Sequence, residues 1–169
     1  MVQEPQQARW RNMMPADLPA VVQIAACVHL DYPEGEHVFA ERLALFPEGC
    51  RMLLDGDTTR GYLVSHPWTR KVPPALDTLL GKLPGFPDTY YIHDLALMPQ
   101  ARGRGLAIEA VTAAFTTAKT GGFATLSLVA VGDSKEFWRT QGFAVVRDAD
   151  VERSLASYGG SAHYMERAI

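Results

Sequence analysis

The stretch that most constrains this chain runs from Tyr90 to Val131. There a β-type run passes through a glycine turn into an alanine-lined helix and then into a second β-type run. The first run, Tyr90–Met98, is stopped by Pro99. Behind Arg102-Gly103-Arg104-Gly105, residues Ala107, Ala110, Val111, Ala114, Phe115 and Ala118 fall at i, i+3, i+4, i+7, i+8 and i+11, one stripe of a helix from about Gly105 to Thr120. A stripe made mostly of alanine lets that helix lie close to a sheet. Gly121-Gly122 ends it, and Ala124–Val131 reads as the next strand.

The flanking chain is punctuated locally. Arg9–Asn12 reads as a short first strand. Asp17 is placed to cap a helix over Leu18–Leu30, with Pro19 in its first turn and Val21, Val22, Ala25 and Val28 on one face. A second helix is expected over Val38–Leu45, closed by Pro47 and Gly49. Arg51–Leu54 and Gly61–Ser65 read as a hairpin across Asp55-Gly56-Asp57. Thr69–Asp88 holds Pro73, Pro74, Pro84, Pro87, Gly81 and Gly85. It reads as a long connection with one helical turn near Leu76–Leu80, and such connections are often functional. Ser134–Thr140 reads as helical with Gly142 just past its end, and Phe143–Arg147 and Ala162–Ile169 as the last strands. The order predicts an α/β chain with a mixed sheet flanked by helices, in a single domain over residues 1–169.

Composition excludes several classes of function. With 16 Lys+Arg against 19 Asp+Glu the chain carries a net charge of −3, which disfavours a generic nucleic-acid binder. At 47% hydrophobic it has enough apolar surface to fold. Cys27 and Cys50 form no C-x-x-C pair and no zinc pattern, so no metal is expected, and two thiols fit a reducing compartment. Met1 to Arg11 is polar and lacks the apolar core of a secretory leader, and no run approaches the ~18 apolar residues of a membrane span. The cytoplasm is the expected setting, with no membrane partner.

The glycine turn carries the chemistry. A helix starts with unbonded N–H groups and a partial positive charge, and glycine lets a ligand approach them without interference from Cβ. Gly103 and Gly105, interleaved with Arg102 and Arg104, suit a diphosphate; a tight turn with two solvated arginines is the bland alternative. A P-loop is a weak match because no Lys-Ser or Lys-Thr follows, and so is a dinucleotide fingerprint because Ile108 stands where its third glycine belongs.

Arg102-x-x-Gly105-x-Ala107 resembles the Arg/Gln-x-x-Gly-x-Gly/Ala motif of the Gcn5-related N-acetyltransferases (GNAT). The preceding His93-Asp94-Leu95-Ala96-Leu97-Met98-Pro99 and the downstream Phe137-Trp138-Arg139-Thr140-Gln141-Gly142-Phe143 resemble the same family, in its order and spacing, over about residues 90–146. The resemblance implies transfer of an acetyl group from acetyl-CoA to an amine, with the co-substrate where two central parallel strands, Tyr90–Met98 and Ala124–Val131, splay apart. Backbone groups of Leu95, Ala96 and Leu97 would pair with the pantetheine arm. Amides of Gly103, Arg104, Gly105, Leu106, Ala107 and Ile108 would hold the pyrophosphate, with charge from Arg102 and Arg104. Ser134, Lys135, Phe137 and Trp138 complete the implied contacts, Lys135 toward the 3′-phosphate unless it is an exposed helix lysine.

The reaction itself sets further needs. An amine with pKa about 10 must lose a proton before it attacks, and the tetrahedral intermediate needs a donor, for which the Leu95 N–H is placed. His93 has the pKa range of a general base, with Asp94 beside it; a core histidine and a loop-capping carboxylate are the alternatives. Strand alternation sets Tyr91, His93, Leu95 and Leu97 on one face and Ile92, Asp94 and Ala96 on the other, unless a bulge intervenes. Two departures from the family pattern stand out. Trp138 occupies the position of a common tyrosine acid, and Val131 that of a pantetheine-binding asparagine. Ser134, Tyr158 and Tyr164 are the replacement acids on offer.

Between the first two helices His29, Asp31, Tyr32, Glu34, Glu36 and His37 form either an acidic patch for a cationic acceptor or a solvated loop. The acceptor, a small-molecule or peptide amine, is left open, as is pairing into a homodimer, which many similar proteins show. A non-catalytic acyl-CoA sensor and a nucleotide-binding or structural domain are the competing readings.

Overall fold

The computed structural model describes residues 7–169. Residues 1–6, on which much of the reading of the N-terminal stretch falls, lie outside that range. The chain runs β1 (Arg9–Asn12), α1 (Leu18–Val28), α2 (Glu36–Leu45), β2 (Cys50–Asp55), β3 (Thr58–Trp68), β4 (Thr89–Leu97), α3 (Leu106–Thr120), β5 (Thr125–Ala130), α4 (Lys135–Thr140), β6 (Ala144–Val145), α5 (Ala149–Ser154) and β7 (His163–Ala168). The strands form one seven-stranded sheet in the order β1-β2-β3-β4-β5-β7-β6. Among the described residues only β4 and β5 run parallel. This is the expected mixed α/β plan.

Each face of the sheet has its own core. Ala110, Val111, Ala114 and Ala118 of α3 are buried against Leu63, Tyr90, Ile92, Leu126 and Leu128, so the alanine stripe does pack closely on the central strands. On the other face Val21, Ile24 and Ala25 of α1 and Phe39 and Leu43 of α2 meet Met52, Tyr62, Val64 and Ala96. The expected β3 is longer than its central hydrophobic run and continues through Pro67. Proline is tolerated there because β2 stops pairing at Cys50↔Val64, leaving that side of β3 without a ladder for a missing N–H to break.

Two expectations fail locally. No helical turn forms near Leu76–Leu80; the strap between β3 and β4 stays irregular, with Lys71 and Asp77 at positive φ, 60° and 56°. A short helix the reading lacked, α5, is started by Asp148, whose carboxylate accepts from the amides of Asp150 at 2.9 Å and Val151 at 3.3 Å.

The most consequential irregularity is in β4. Val64 pairs with Asp94 but Ser65 pairs with Ile92, so His93 is an extra residue opposite β3, a β-bulge. Simple alternation is therefore wrong past this point. Ile92 and Leu95 pack on the α3 side. His93 and Asp94, although adjacent, both turn toward the loop between α1 and α2, as their partners Glu34 and His29 show.

Candidate functional site

β4 and β5 pair only from Tyr90↔Leu126 to Ile92↔Leu128 and then part, although β4 continues to Leu97 and β5 to Ala130. A cavity of about 800 Å³ opens at the parting. Its walls hold Ile92, His93, Asp94, Leu95 and Leu97 from β4 and its extension, Leu128 and Val129 from β5, and Phe137 and Trp138 from α4. The glycine turn with the start of α3 contributes Arg102, Gly103, Gly105, Leu106, Ala107 and Ile108. The α1–α2 loop adds His29, Asp31, Tyr32 and Glu34, the strap Leu76, and the segment before β7 Tyr158.

The turn has the shape its sequence suggests. Gly103 and Gly105 have φ of 72° and 78°, a region L side chains rarely enter, and a Cβ on either would meet nothing within 4 Å. Glycine is thus needed for backbone conformation, and the space beside it is open. Among the described residues the amides from Gly103 to Ile108 have no hydrogen-bond partner, the first α3 bond running from Glu109 N–H to the Gly105 carbonyl. Arg102 Nε donates to the Leu97 carbonyl at 3.1 Å, fastening the turn to the end of β4. Arg104 does not line the cavity; it pairs with Asp55 at 2.6 Å.

Two carboxylate–imidazole pairs flank Leu95. His29 Nε2 stands 2.7 Å from Asp94 Oδ1, and the Tyr62 hydroxyl donates to Asp94 Oδ2. His93 Nε2 stands 2.8 Å from Glu34 Oε1, while Glu34 Oε2 accepts from the Asp77 amide at 3.0 Å. Burial alone would raise the Asp94 carboxyl, but the charge and hydrogen bond of His29 and the hydroxyl of Tyr62 hold it below its ordinary value. Burial lowers His29, and the charge and hydrogen bond of Asp94 with the field of Glu34 outweigh it, leaving the imidazole raised. Beneath lies His66, driven by burial down to about 3.

Three segments meet around Tyr32, Leu76 and Tyr158, which line the cavity. The Tyr32 hydroxyl meets Ser161 Oγ at 2.9 Å and accepts from Gly132 N–H at 3.2 Å. Leu76 N–H donates to Ser157 Oγ at 3.0 Å, and the Tyr158 hydroxyl to the Pro74 carbonyl at 2.9 Å. The α1–α2 loop, the strap and the segment before β7 are thereby laced into one wall.

Of the residues singled out in the sequence, the structure gathers His93, Asp94, Leu95, Leu97, Arg102, Gly103, Gly105, Leu106, Ala107, Ile108, Ser134, Phe137 and Trp138 around one cavity. The Ala96 side chain is buried against α1 and α2, and Lys135 is outside the walls. Of the replacement acids Ser134 and Tyr158 line the cavity; Tyr164, raised by burial to about 12, does not. Trp138 is largely core, edge-on to Phe137 and Phe143. Sequence reasoning missed Tyr62 and Leu76 as parts of the site and left Glu34 in either an acidic patch or a solvated loop. Nothing local marks Tyr62, a strand residue reached only through the bulge. No group of three or more His, Cys, Asp and Glu able to hold a metal occurs among the described residues, and no helix among them is long and apolar enough to cross a membrane.

Comparisons with known proteins agree with this fold. Ard1 from Thermoplasma volcanium superposes with a TM-score of 0.72 at 15% identity, covering 96% of this chain and 97% of that one. The ribosomal-protein-S18-alanine N-acetyltransferase from Escherichia coli gives 0.66 at 17%, covering 96% and 94%. The GphF GNAT-like decarboxylase in complex with isobutyryl-CoA gives 0.76 at 16%, covering 95% and 98%. At these identities the likeness is one of fold. No curated protein matches the chain. Residues 18–143 match the family described as Acetyltransferase (GNAT) family, three quarters of the sequence, and this chain is a member of that family.

Proposed function

We propose that this protein is an acyl-CoA-dependent N-acetyltransferase that moves an acetyl group from acetyl-CoA to a small-molecule or peptide amine by direct attack within a ternary complex. One observation carries the reading: at the parting of β4 and β5, a run of unbonded amides and a pair of histidine–carboxylate couples border one cavity. Similar proteins solved with CoA, and with peptide or amino-acid compounds, support the class of both substrates.

In this reading the amides from Gly103 to Ile108 and the dipole of α3 take the diphosphate, with Arg102 at its edge. The main chain of Leu95, Ala96 and Leu97, left unpaired on its β5 side, aligns the pantetheine arm as an added strand. Phe137, Trp138 and Ser134 border the arm from α4, and Lys135 and Arg104 supply charge outside the cleft. The Leu95 N–H faces the thioester oxygen as charge develops there. The acceptor ammonium gives its proton to a histidine beside Asp94 and attacks the carbonyl carbon. Collapse of the intermediate then expels the thiolate, a good leaving group whose parent thiol has pKa about 8.5. The laced wall of Tyr32, Leu76 and Tyr158 favours an amine presented at the end of a small or extended molecule. Two free thiols, Cys27 and Cys50, fit a cytoplasmic setting.

Titration calorimetry with acetyl-CoA and thiol release over a panel of amines test the proposal. Micromolar binding is expected in wild type, and at least tenfold weaker binding in Gly105→Val, whose side chain is strained at φ 78°. Binding without thiol release for any amine is the outcome of a sensor; no binding by folded protein overturns the reading.

A further inference from the structure

His29 and His93 both border the cavity beside Leu95, yet they are held in opposite ways. This inference rests on the acetyl-transfer reading and names the group that takes the acceptor's proton. We propose that His29 is the catalytic base, with Asp94 as its positioning carboxylate, and that His93 is a structural strut.

The two rings differ in access to the cavity. With the Nε2–H of His29 committed to Asp94 Oδ1 at 2.7 Å, the neutral ring keeps its lone pair on Nδ1. That nitrogen makes no hydrogen bond among the described residues and is not sealed from solvent; the ring keeps 19% of its side-chain surface and lines the cavity. Asp94 is itself fixed on its second oxygen by Tyr62, so it has no freedom to leave the ring. His93 keeps 2% of its surface, its Nε2 is taken by Glu34, and its Nδ1 is buried without a partner among the described residues. A base must reach its proton directly or through one water, which the first ring can do and the second cannot.

The electrostatics agree with this placement. The charged groups acting on His29 are Asp94 on β4, Glu34 on the α1–α2 loop and Arg102 on the glycine turn, with Tyr62 and His93 acting through Asp94. Burial and Arg102 oppose the imidazolium, Asp94 and Glu34 favour it, and the favourable pair prevails. His29 is therefore a stronger base than a free imidazole.

The step balances. An N–H bond of the ammonium breaks and its proton goes to Nδ1 of His29. The freed nitrogen lone pair forms the C–N bond while the carbonyl pair moves onto oxygen, opposite the Leu95 N–H. On collapse the C–S bond breaks with its electrons on sulfur, which takes the second proton lost by nitrogen. The first proton passes from His29 to solvent.

Two measurements decide it. In the pH dependence of kcat/KM, wild type is expected to show an acid limb above the ordinary histidine value of about 6.5. His29→Gln, whose amide can still bond Asp94, loses that limb and about 100- to 1,000-fold in rate. Asp94→Asn keeps a limb but moves it to lower pH. His93→Gln loses less than tenfold and leaves the limb in place. A limb retained in His29→Gln and lost in a folded His93→Gln overturns the assignment while leaving acetyl transfer standing. Should wild type release no thiol with any amine, the functional reading falls, and 15N-histidine NMR then judges the pair alone. A His29 titration at or below about 6.5, unmoved by Asp94→Asn, overturns the dyad.

Discussion

The cavity sets two chemically identical couples side by side, His29–Asp94 and His93–Glu34. Each joins one residue of the β4 bulge to one residue of the α1–α2 loop, with ring-to-carboxylate distances of 2.7 and 2.8 Å. They differ in what lies behind them. Asp94 is backed by a hydroxyl and presents its histidine to the cavity. Glu34 is backed by the Asp77 amide and the field of the fully buried Arg42, and its histidine faces inward toward His66, with 6.4 Å between ring centroids. A histidine beside a carboxylate is thus not a base by virtue of its partner. The free nitrogen must face the substrate, and here only the fold's choice of exposed and sealed rings separates chemistry from support.

That contrast is broken most sharply by stability measurements on the sealed couple. Glu34→Ala leaves a buried imidazole and the Asp77 amide unsatisfied, and is expected to lower unfolding free energy by about 3 kcal/mol in urea. A loss under 1 kcal/mol would make the couple dispensable. Tyr62→Phe removes one support of the Asp94 carboxylate and is expected to cost about 2 kcal/mol, since hydrogen bonds to charged groups are the strong ones. Its thiol-release rate should fall more than that of a Tyr158→Phe control.

The open couple has a pH signature. His29 is raised on folding, so its contribution is fully present below about pH 6.5 and is lost as pH climbs through the folded value. Asp94 is lowered, so its contribution is present above about pH 4 and is lost as pH falls through the folded value. The gap in Tm between wild type and Asp94→Asn should therefore be wider at pH 6 than at pH 9; an equal gap would show that the couple carries no charge. The smallest effect is expected at the laced wall. Tyr32→Phe loses exposed bonds to Ser161 and Gly132, worth less than about 1 kcal/mol. It should instead relax acceptor selectivity, seen as a lower ratio of kcat/KM between small and bulky amines.

The half of the site built by neighbouring residues was legible from the chain. Arg102, Gly103 and Gly105, the alanine stripe and the strands on either side lie within a continuous stretch, and local turn chemistry and helical period suffice to place them. The rest of the site was legible only in part: His29, Glu34 and Tyr158 stood out as candidates, but not the contacts that join them. His29 and Glu34, Tyr62, Leu76 and Tyr158 are gathered from four separate stretches, and the patch around Glu34 reads as either an acidic patch or a solvated loop because nothing local shows a carboxylate folding back onto β4. The helical turn expected near Leu76 failed for a related reason. Its main chain is placed by bonds from the Leu76 and Asp77 amides to Ser157 and Glu34, and from Tyr158 to the Pro74 carbonyl, rather than by a helical period of its own.

What the amino-acid order determined by itself is the periodicity: most of the strands and helices (α5 excepted), where glycine must bend the backbone to positive φ, and hence where a bare helix start would meet an anion. What only the tertiary structure decided is which way side chains face at the extra residue His93. One added residue in β4 rotates the strand by half its period, so Asp94 lands on the same face as His93 and meets His29 instead of the α3 core. Such a slip depends on register with β3, a long-range property that no window of the sequence contains.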